Sequence, residues 1–243
     1  MSSSFVIFEG PSRLDGCPIV VIASGVTGSS ANAKTGDMAQ TWIMRADVHP
    51  VEAIRSGQDD SICGLCPHRG VSGRARSCYV NVGMAPSVLW KAYKAGNIPA
   101  ASPDTVARLL RFKGLRIGAY GDPAAVPTEV WQTLVSGAAF HTGYTHQWRT
   151  AADLRGLVMA SCDTPADLAE AEAAGWRAFY VIGPDAPNPP AMRRCPSDPS
   201  LDSVHVPCAA CRACDGANSA RQKGHRFIRV HGNGRKYFAL NMA

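Results

Sequence analysis

The chain has 243 residues, of which 46% are hydrophobic and 18% charged, with a formal net charge of +6. This composition is typical of a globular protein, and the length suffices for one large domain or two small ones. The sequence contains no apolar run of about 18 residues and no signal-peptide pattern at its start, so we expect a cytoplasmic protein without a membrane span.

The hydrophobic pattern predicts alternating strands and helices. In chain order, strands are expected at residues 18–23, 41–45, 115–120, 140–144, 157–160 and 177–182. Helices are expected at residues 49–56, 86–94, 102–112, 126–136, 151–154 and 165–174, the last with Thr164 as N-cap and Pro165 in its first turn. Residues 184–207 are predicted to be irregular, and 227–230 with 236–240 to form a closing hairpin or two short strands.

Strand starts recur at intervals of roughly 20 residues in the middle of the chain, the size of a tight βα unit. We therefore predict one α/β domain over residues 1–243, built as a partial or distorted (βα) barrel with irregular cysteine-rich loops at 58–82 and 184–218. A complete eight-unit barrel normally needs about 250 residues, and much of this chain lies in those loops. An open parallel sheet with helices on both faces is the alternative.

The nine cysteines carry the clearest functional signal. In a reducing compartment, clustered cysteines more often bind metal than form disulfides. The second cysteine group comprises Cys195, Cys208, Cys211 and Cys214. Two consecutive two-residue spacers place three thiolates on one tight loop, and the distant fourth is followed by Pro196. Ferredoxins have a similar pattern, although their distant cysteine lies on the other side of the triplet. We favour an iron–sulfur cluster over zinc, whose sites more often use two separated CxxC pairs.

The first cysteine group comprises Cys63, Cys66 and Cys78. With only three local thiolates, either the fourth metal position is open or a further ligand comes from His68, Cys162 or Cys17. A structural zinc site formed by the three cysteines and His68 is the alternative. The basic residues Arg69, Arg74 and Arg76 would offset the charge of a thiolate-bound cluster, and we predict that Arg69 and Arg76 bind the cofactor or another anionic ligand.

Short segments around these cysteines resemble the phage "gene product eighty-eight" family. The matching segments are Asn32-Ala-Lys34-Thr-Gly36, the Cys63/Cys66 loop, Cys78-Tyr79, Arg116–Asp122 with Trp131 downstream, Gly143-Tyr144-Thr145 and the terminal CxxCxxC. That family is distantly similar to radical S-adenosylmethionine barrel proteins. The resemblance implies a phage or mobile-element origin, hence the cytoplasm of a bacterial host, together with a barrel-like fold and bound clusters. It implies no particular reaction.

In a βα barrel, functional residues follow the carboxyl ends of the strands. We predict that Asp122 and Tyr144 are catalytic. The other residues at such positions are Tyr120, His146, Gln147, Trp148, Ser161, Cys162 and Asp163.

Three functions fit the sequence. The first is a cluster enzyme that binds S-adenosylmethionine at an open site in the first cysteine group, although the usual CxxxCxxC run is absent. The second is an electron carrier or redox sensor, and the third is a zinc-stapled protein that binds nucleic acid through its basic C-terminal region, which includes Arg221, Lys223, Arg226 and Arg229. We favour two 4Fe-4S clusters used in redox or radical chemistry, with a small molecule or a redox protein as partner.

Overall fold

The computed structural model describes residues 3–30, 32–70, 75–201, 205–217, 224–232 and 234–238. Its strands are β1 (Ser4–Pro11), β2 (Pro18–Ser24), β3 (Met38–Arg45), β4 (Gly114–Tyr120), β5 (Phe140–Thr145), β6 (Met159–Cys162), β7 (Ala178–Ile182), β8 (Arg193–Arg194) and β9 (Arg226–Arg229). Its α-helices are α1 (Pro50–Ser56), α2 (Asp60–Cys63), α3 (Ala85–Lys94), α4 (Pro103–Leu109), α5 (Thr128–Gly137), α6 (Pro165–Ala173) and α7 (Cys208–Cys211). Single 3₁₀ turns lie at Pro123–Ala125, Ala152–Leu154 and Arg235–Tyr237.

The described strands form one nine-stranded sheet in the order β1-β2-β3-β4-β5-β6-β7-β9-β8. The pairs β1–β2 and β2–β3 are antiparallel, whereas every later pair is parallel. The predicted α/β class with a mainly parallel sheet is therefore confirmed. The strand order is that of an open sheet, as in the alternative prediction, because no pairing among the described residues joins β1 to β8.

The two faces of the central strands have different roles. Leu115 and Ile117 of β4 are completely buried in the main core, together with Trp131 and Leu134 of α5. Because successive side chains of a strand point to opposite faces, Arg116 lies on the other face. This alternation separates an apolar core from the face on which the cavity described below is located.

Local sequence signals account for the helix ends. Thr164 caps α6 by accepting a hydrogen bond from the Asp167 backbone N–H, and the Asp167 carboxylate accepts one from the Thr164 N–H. Ser102 caps α4 in the same way through the Thr105 N–H. The predicted Thr164 cap is confirmed, and each of the two caps contributes about 1 kcal/mol to helix stability.

The predicted closing hairpin is wrong. β9 pairs with β7 on one side and with β8 on the other, so both of its edges are already occupied. Residues Arg235–Tyr237 form a 3₁₀ turn instead of a strand. Ala239 and Leu240 of that proposed strand, like Arg74, Arg221 and Lys223, lie outside the described residues.

None of the helices in the described residues combines the length and the apolar character needed to cross a bilayer.

Candidate metal-binding cavity

A cavity of about 180 Å³ lies against the polar face of the sheet. Its walls include side chains from β4, β5, β7 and β9 and from both cysteine-rich loops. The cysteines that line it are Cys63, Cys66, Cys78, Cys195 and Cys208. Two segments separated by more than a hundred residues therefore border one space.

The loop after α2 shapes the first cysteine group. Gly64 ends the helix with φ 52° and ψ −130°, a conformation that favours glycine. The Gln147 side chain braces this turn, because its Nε2 donates to the Cys63 carbonyl (3.0 Å) and its Oε1 accepts from the Leu65 N–H (3.2 Å). A Cβ at position 64 would lie 2.6 Å from Gln147 Cδ, so only glycine fits here.

Cys78 reaches the same region because the chain folds back on His68. The backbone N–H groups of Ser77 and Cys78 both donate to the His68 carbonyl, at 3.2 and 3.0 Å. Burial raises the pKa of Cys63 well above its ordinary value, and the neighbouring Cys66 raises it further. Burial also raises the pKa of Cys78. Without a metal these two thiols are protonated at neutral pH, so metal binding would release their protons.

The two arginines predicted to bind the cofactor line the cavity but also make internal contacts. Arg69 is ion-paired with the buried Asp59 (3.1 Å), and its Nη2 donates to the Gly57 carbonyl at 2.5 Å. Arg76 donates through Nη1 to the carbonyls of Cys78 (3.2 Å) and Val80 (2.8 Å). Both side chains therefore stabilise the loop that carries the first cysteine group, and their predicted role towards a cofactor stays a prediction.

A His–Asp–His arrangement lies beside the first cysteine group. Asp163 Oδ1 is 2.8 Å from His68 Nε2, and Asp163 Oδ2 is 3.1 Å from His146 Nε2. Among the described residues these three form the only group of at least three potential ligand atoms within 4.8 Å of one another. His68 Nδ1 is also 2.8 Å from Ser77 Oγ, so both nitrogens of His68 already have partners. His68 is consequently a poorer candidate for a fourth ligand than the sequence suggested.

His146 links this arrangement to the cysteines because it lies close to Cys66, and both residues line the cavity. Burial lowers the pKa of His146, but the charges of Cys66 and Asp163 outweigh burial and raise it well above its ordinary value. Burial raises the pKa of Asp163, but His146 and His68 outweigh burial and hold it below its usual range. His146 and Asp163 therefore form an ion pair.

The remaining candidates for a fourth ligand do not line the cavity. Cys162 is completely buried in the main core, and its Sγ lies 3.8 Å from the Ala160 carbonyl. The adjacent Ser161 does line the cavity, so strand alternation directs Cys162 to the opposite face. Cys17 lies before β2, where its N–H donates to Asp15.

The second cysteine group is held by the segment Asn32–Gly36. The N–H groups of Cys208 and Ala209, at the start of α7, donate to the carbonyls of Lys34 (3.0 Å) and Thr35 (2.9 Å). Asn32 Oδ1 accepts from the N–H groups of Lys34 and Thr35 and so fixes the turn. The motif noted in the sequence for its resemblance is thus the backbone support of Cys208.

The cysteines of the second group pack against apolar side chains. Cys214 is buried in a second core cluster, against which Cys195 and Cys211 also pack; its other buried members are Met159, Phe179, Ala213 and Ile228. Arg212 follows Cys211 with φ 52°, a left-handed conformation that turns the chain before Cys214. Burial raises the pKa of Cys195 to about 11 and that of Cys214 to about 12.

The two predicted catalytic residues both line the cavity, but their surroundings differ. Asp122 accepts hydrogen bonds from Thr145 Oγ1 (2.6 Å), the Ala124 N–H (3.0 Å) and the His146 N–H (2.8 Å). Asp122 therefore positions the residues after β5. Tyr144 lies close to Cys214, and the centre of its ring lies 4.5 Å from that of Phe179. Burial, followed by the effect of Cys214, raises the pKa of Tyr144 well above its ordinary value.

Part of the cavity lining is basic. We call this part the cationic wall; its residues are Lys34, Tyr79, Arg116 and His231. Lys34 Nζ lies 2.6 Å from His231 Nε2 and 4.9 Å from the centre of the Tyr79 ring, and the Tyr79 hydroxyl accepts a hydrogen bond from Arg116. His231 Nδ1 is 3.0 Å from the Arg229 carbonyl, to which it donates, so Nε2 is free to accept from Lys34. Burial and the charge of Arg116 lower the pKa of Lys34 to about 8.

No protein-family model, curated protein or solved structure matches this chain. The resemblance to the phage family and to radical S-adenosylmethionine barrels therefore stays a prediction, and the function has to be argued from the cavity and its residues.

Proposed function

We propose that this chain is an iron–sulfur protein that binds one 4Fe-4S cluster at each cysteine group and uses them in redox or radical chemistry on a small molecule. The observation that carries the proposal is the shared cavity, whose walls contain thiols of both groups. Two groups that served only to staple loops would not need to border a common cavity.

The second cysteine group supplies four thiols, the number that a cubane cluster requires. Within the described residues, no three cysteine sulfurs lie within 4.8 Å of one another. The preference for a cluster over zinc therefore rests on the sequence spacing of Cys208, Cys211 and Cys214, which places three thiols on one tight loop, whereas zinc sites more often use two separated CxxC pairs.

The first cysteine group supplies three thiols, and His146 lies close to Cys66. We propose that Cys63, Cys66 and Cys78 hold the cluster and that the fourth position is taken by His146 or by a substrate in the cavity. When bound, the clusters would supply single electrons. The chain's own contribution is to exclude water and to hold Tyr144 and Arg116 against the space where a substrate would lie.

The barrel-like curvature expected from the sequence is part of this proposal. Side chains from five successive strands of the sheet, β4, β5, β6, β7 and β9, line the same small cavity. A curved sheet brings the two ends of such a run, β4 and β9, to one cavity more readily than a flat sheet does.

Paired cysteine variants test the proposal. After anaerobic purification, the wild type should absorb near 400 nm. The variants Cys63→Ser/Cys66→Ser and Cys208→Ser/Cys211→Ser should each lose about half of the iron and of this absorbance, since one cluster would remain. The matched control is Cys162→Ser, which alters a thiol directed away from the cavity and should retain the full iron content. Equal iron in all three variants, or stoichiometric zinc in place of iron, would contradict the proposal.

A further inference from the structure

The cationic wall between the cysteine groups has more positive charge than its protein neighbours balance. Lys34 and Arg116 both line the cavity. The ion pairs found in the described part of the chain include neither residue, although that part contains many paired arginines. Asp59 and Asp122 also line the cavity, but neither is ion-paired with either cation in the described residues. Two unpaired cations that face one space favour an anion there.

Unsatisfied donors on the same strand point to the same conclusion. Arg116 is only 6% exposed, and its Nε is a buried donor without a hydrogen-bond partner among the described residues. The hydroxyl of Tyr120, four residues along β4, is also buried without a partner there. Tyr120 is 3% exposed and lines the cavity. Buried polar groups normally have partners, so these two mark places where a ligand supplies the missing acceptor.

The cavity also limits the size and character of the ligand. Its volume of about 180 Å³ is smaller than the roughly 300–1,000 Å³ of sites for drug-sized molecules. Phe179, Val181 and Ile228 form an apolar part of its lining. A fitting ligand is a small molecule with an oxyanion at one end, an apolar body and a hydrogen-bond acceptor at the other end.

We propose that the cavity binds a small organic oxyanion, a carboxylate or a phosphate, whose charged end contacts Arg116 and Lys34 and whose other end extends along β4 towards Tyr120. Binding of this anion requires Arg116, Lys34 and Tyr120 and does not require a bound cluster. The Tyr120 end of the cavity adjoins the first cysteine group. If the proposed redox function holds, a ligand bound there lies beside that group and is the substrate; this second step rests on the proposed function.

A competing explanation is that Lys34 and Arg116 only offset thiolate charge, because Cys208 lies close to both. The two explanations differ in their consequences. Residues that serve only the second cysteine group would affect metal content and leave ligand binding unchanged. Residues that hold an oxyanion would affect ligand binding even in a variant that keeps its metal.

The test is calorimetric titration of the purified full chain with benzoate, phenyl phosphate and the neutral isostere benzamide, with metal content measured for every protein. For the wild type, the better-bound anion should bind at least about tenfold more tightly than benzamide, and its identity distinguishes a carboxylate from a phosphate ligand. Both Lys34→Gln and Arg116→Gln should weaken binding of that anion by at least about tenfold. The exposed Arg55, on α1, provides the matched control Arg55→Gln, which should bind as the wild type does.

Equal affinity of the wild type for the anions and benzamide would overturn the proposal without relying on any variant. Metal loss with unchanged anion binding in Lys34→Gln and Arg116→Gln would also overturn it and would leave the proposed redox function standing. If the wild type lacks iron but shows the predicted anion preference and variant effects, the oxyanion site stands and the redox function fails.

Discussion

Replacement of Asp122 by asparagine tests whether this residue positions the cavity wall. Its carboxylate is 6% exposed and accepts three hydrogen bonds, two through Oδ1 and one through Oδ2. In Asp122→Asn, an amide NH₂ must replace one of these oxygens. If Oδ1 is kept, the NH₂ faces the His146 backbone N–H, so two donors oppose each other in a buried site.

The structure sets the size of the effect. A hydrogen bond to a charged group contributes about 1.5–3 kcal/mol, and an unsatisfied buried donor costs about 1–3 kcal/mol. The free energy of unfolding should therefore fall by about 3 kcal/mol. The control is Glu170→Gln, because Glu170 and its partner Arg149 are 54% and 45% exposed. An exposed pair of this kind contributes at most about 1 kcal/mol.

Urea unfolding at pH 7 measures both variants, and a double-mutant cycle with Thr145→Val isolates the Thr145–Asp122 hydrogen bond. We expect an interaction energy of about 1 kcal/mol or more between the two substitutions, since they share one buried bond. A free energy of unfolding for Asp122→Asn within about 0.5 kcal/mol of the wild type would refute the positioning role.

Two further predictions concern the loops that carry the cysteines. Burial raises the pKa of Asp198, but hydrogen bonds from Ser200 and Arg194 outweigh it and lower the pKa to about 2. Asp198 should therefore contribute about 2 kcal/mol above pH 4, and this contribution should be lost as the pH falls from about 4 to about 2. In urea unfolding, Asp198→Asn should be less stable than the wild type at pH 7 and converge with it near pH 2; a constant difference would contradict the assignment. Gly64→Ala should destabilise the protein by about 3 kcal/mol, because φ 52° with ψ −130° disfavours a side chain and the new Cβ also meets Gln147, whereas Gly57→Ala, at φ 77° and ψ 3° with open space around it, should cost about 1 kcal/mol. Equal losses of stability in these two variants would contradict the additional strain assigned to position 64.

The part of the fold that was predictable has strong local signals. The apolar runs of β2 and β4 predict buried strands, and the Thr164 cap with Pro165 predicts the start of α6. Strand partners were harder to predict, because they depend on the order of the sheet. β9 looks like one arm of a hairpin in the sequence, yet it lies between β7 and β8. β8 has only two residues within a proline-rich segment, too few for a periodic signal.

Spacing marked seven cysteines as candidate metal ligands, which stays a prediction, but it did not indicate what surrounds them. The contact between His68 and Asp163 joins residues 95 positions apart, and that between Lys34 and His231 spans 197 positions. Such pairs have no local pattern. Two sequence signals did bear on them: His146 and Asp163 each follow a strand, and Lys34 lies in the Asn32–Gly36 motif. The oxyanion site could not be predicted, because it depends on which face of β4 carries Arg116.

The metal content of the wild type tests the central claim most directly. After anaerobic purification, iron, acid-labile sulfide and zinc are measured per chain. The proposal predicts about eight iron and about eight sulfide per chain and only traces of zinc. One or two zinc ions per chain without sulfide would contradict it.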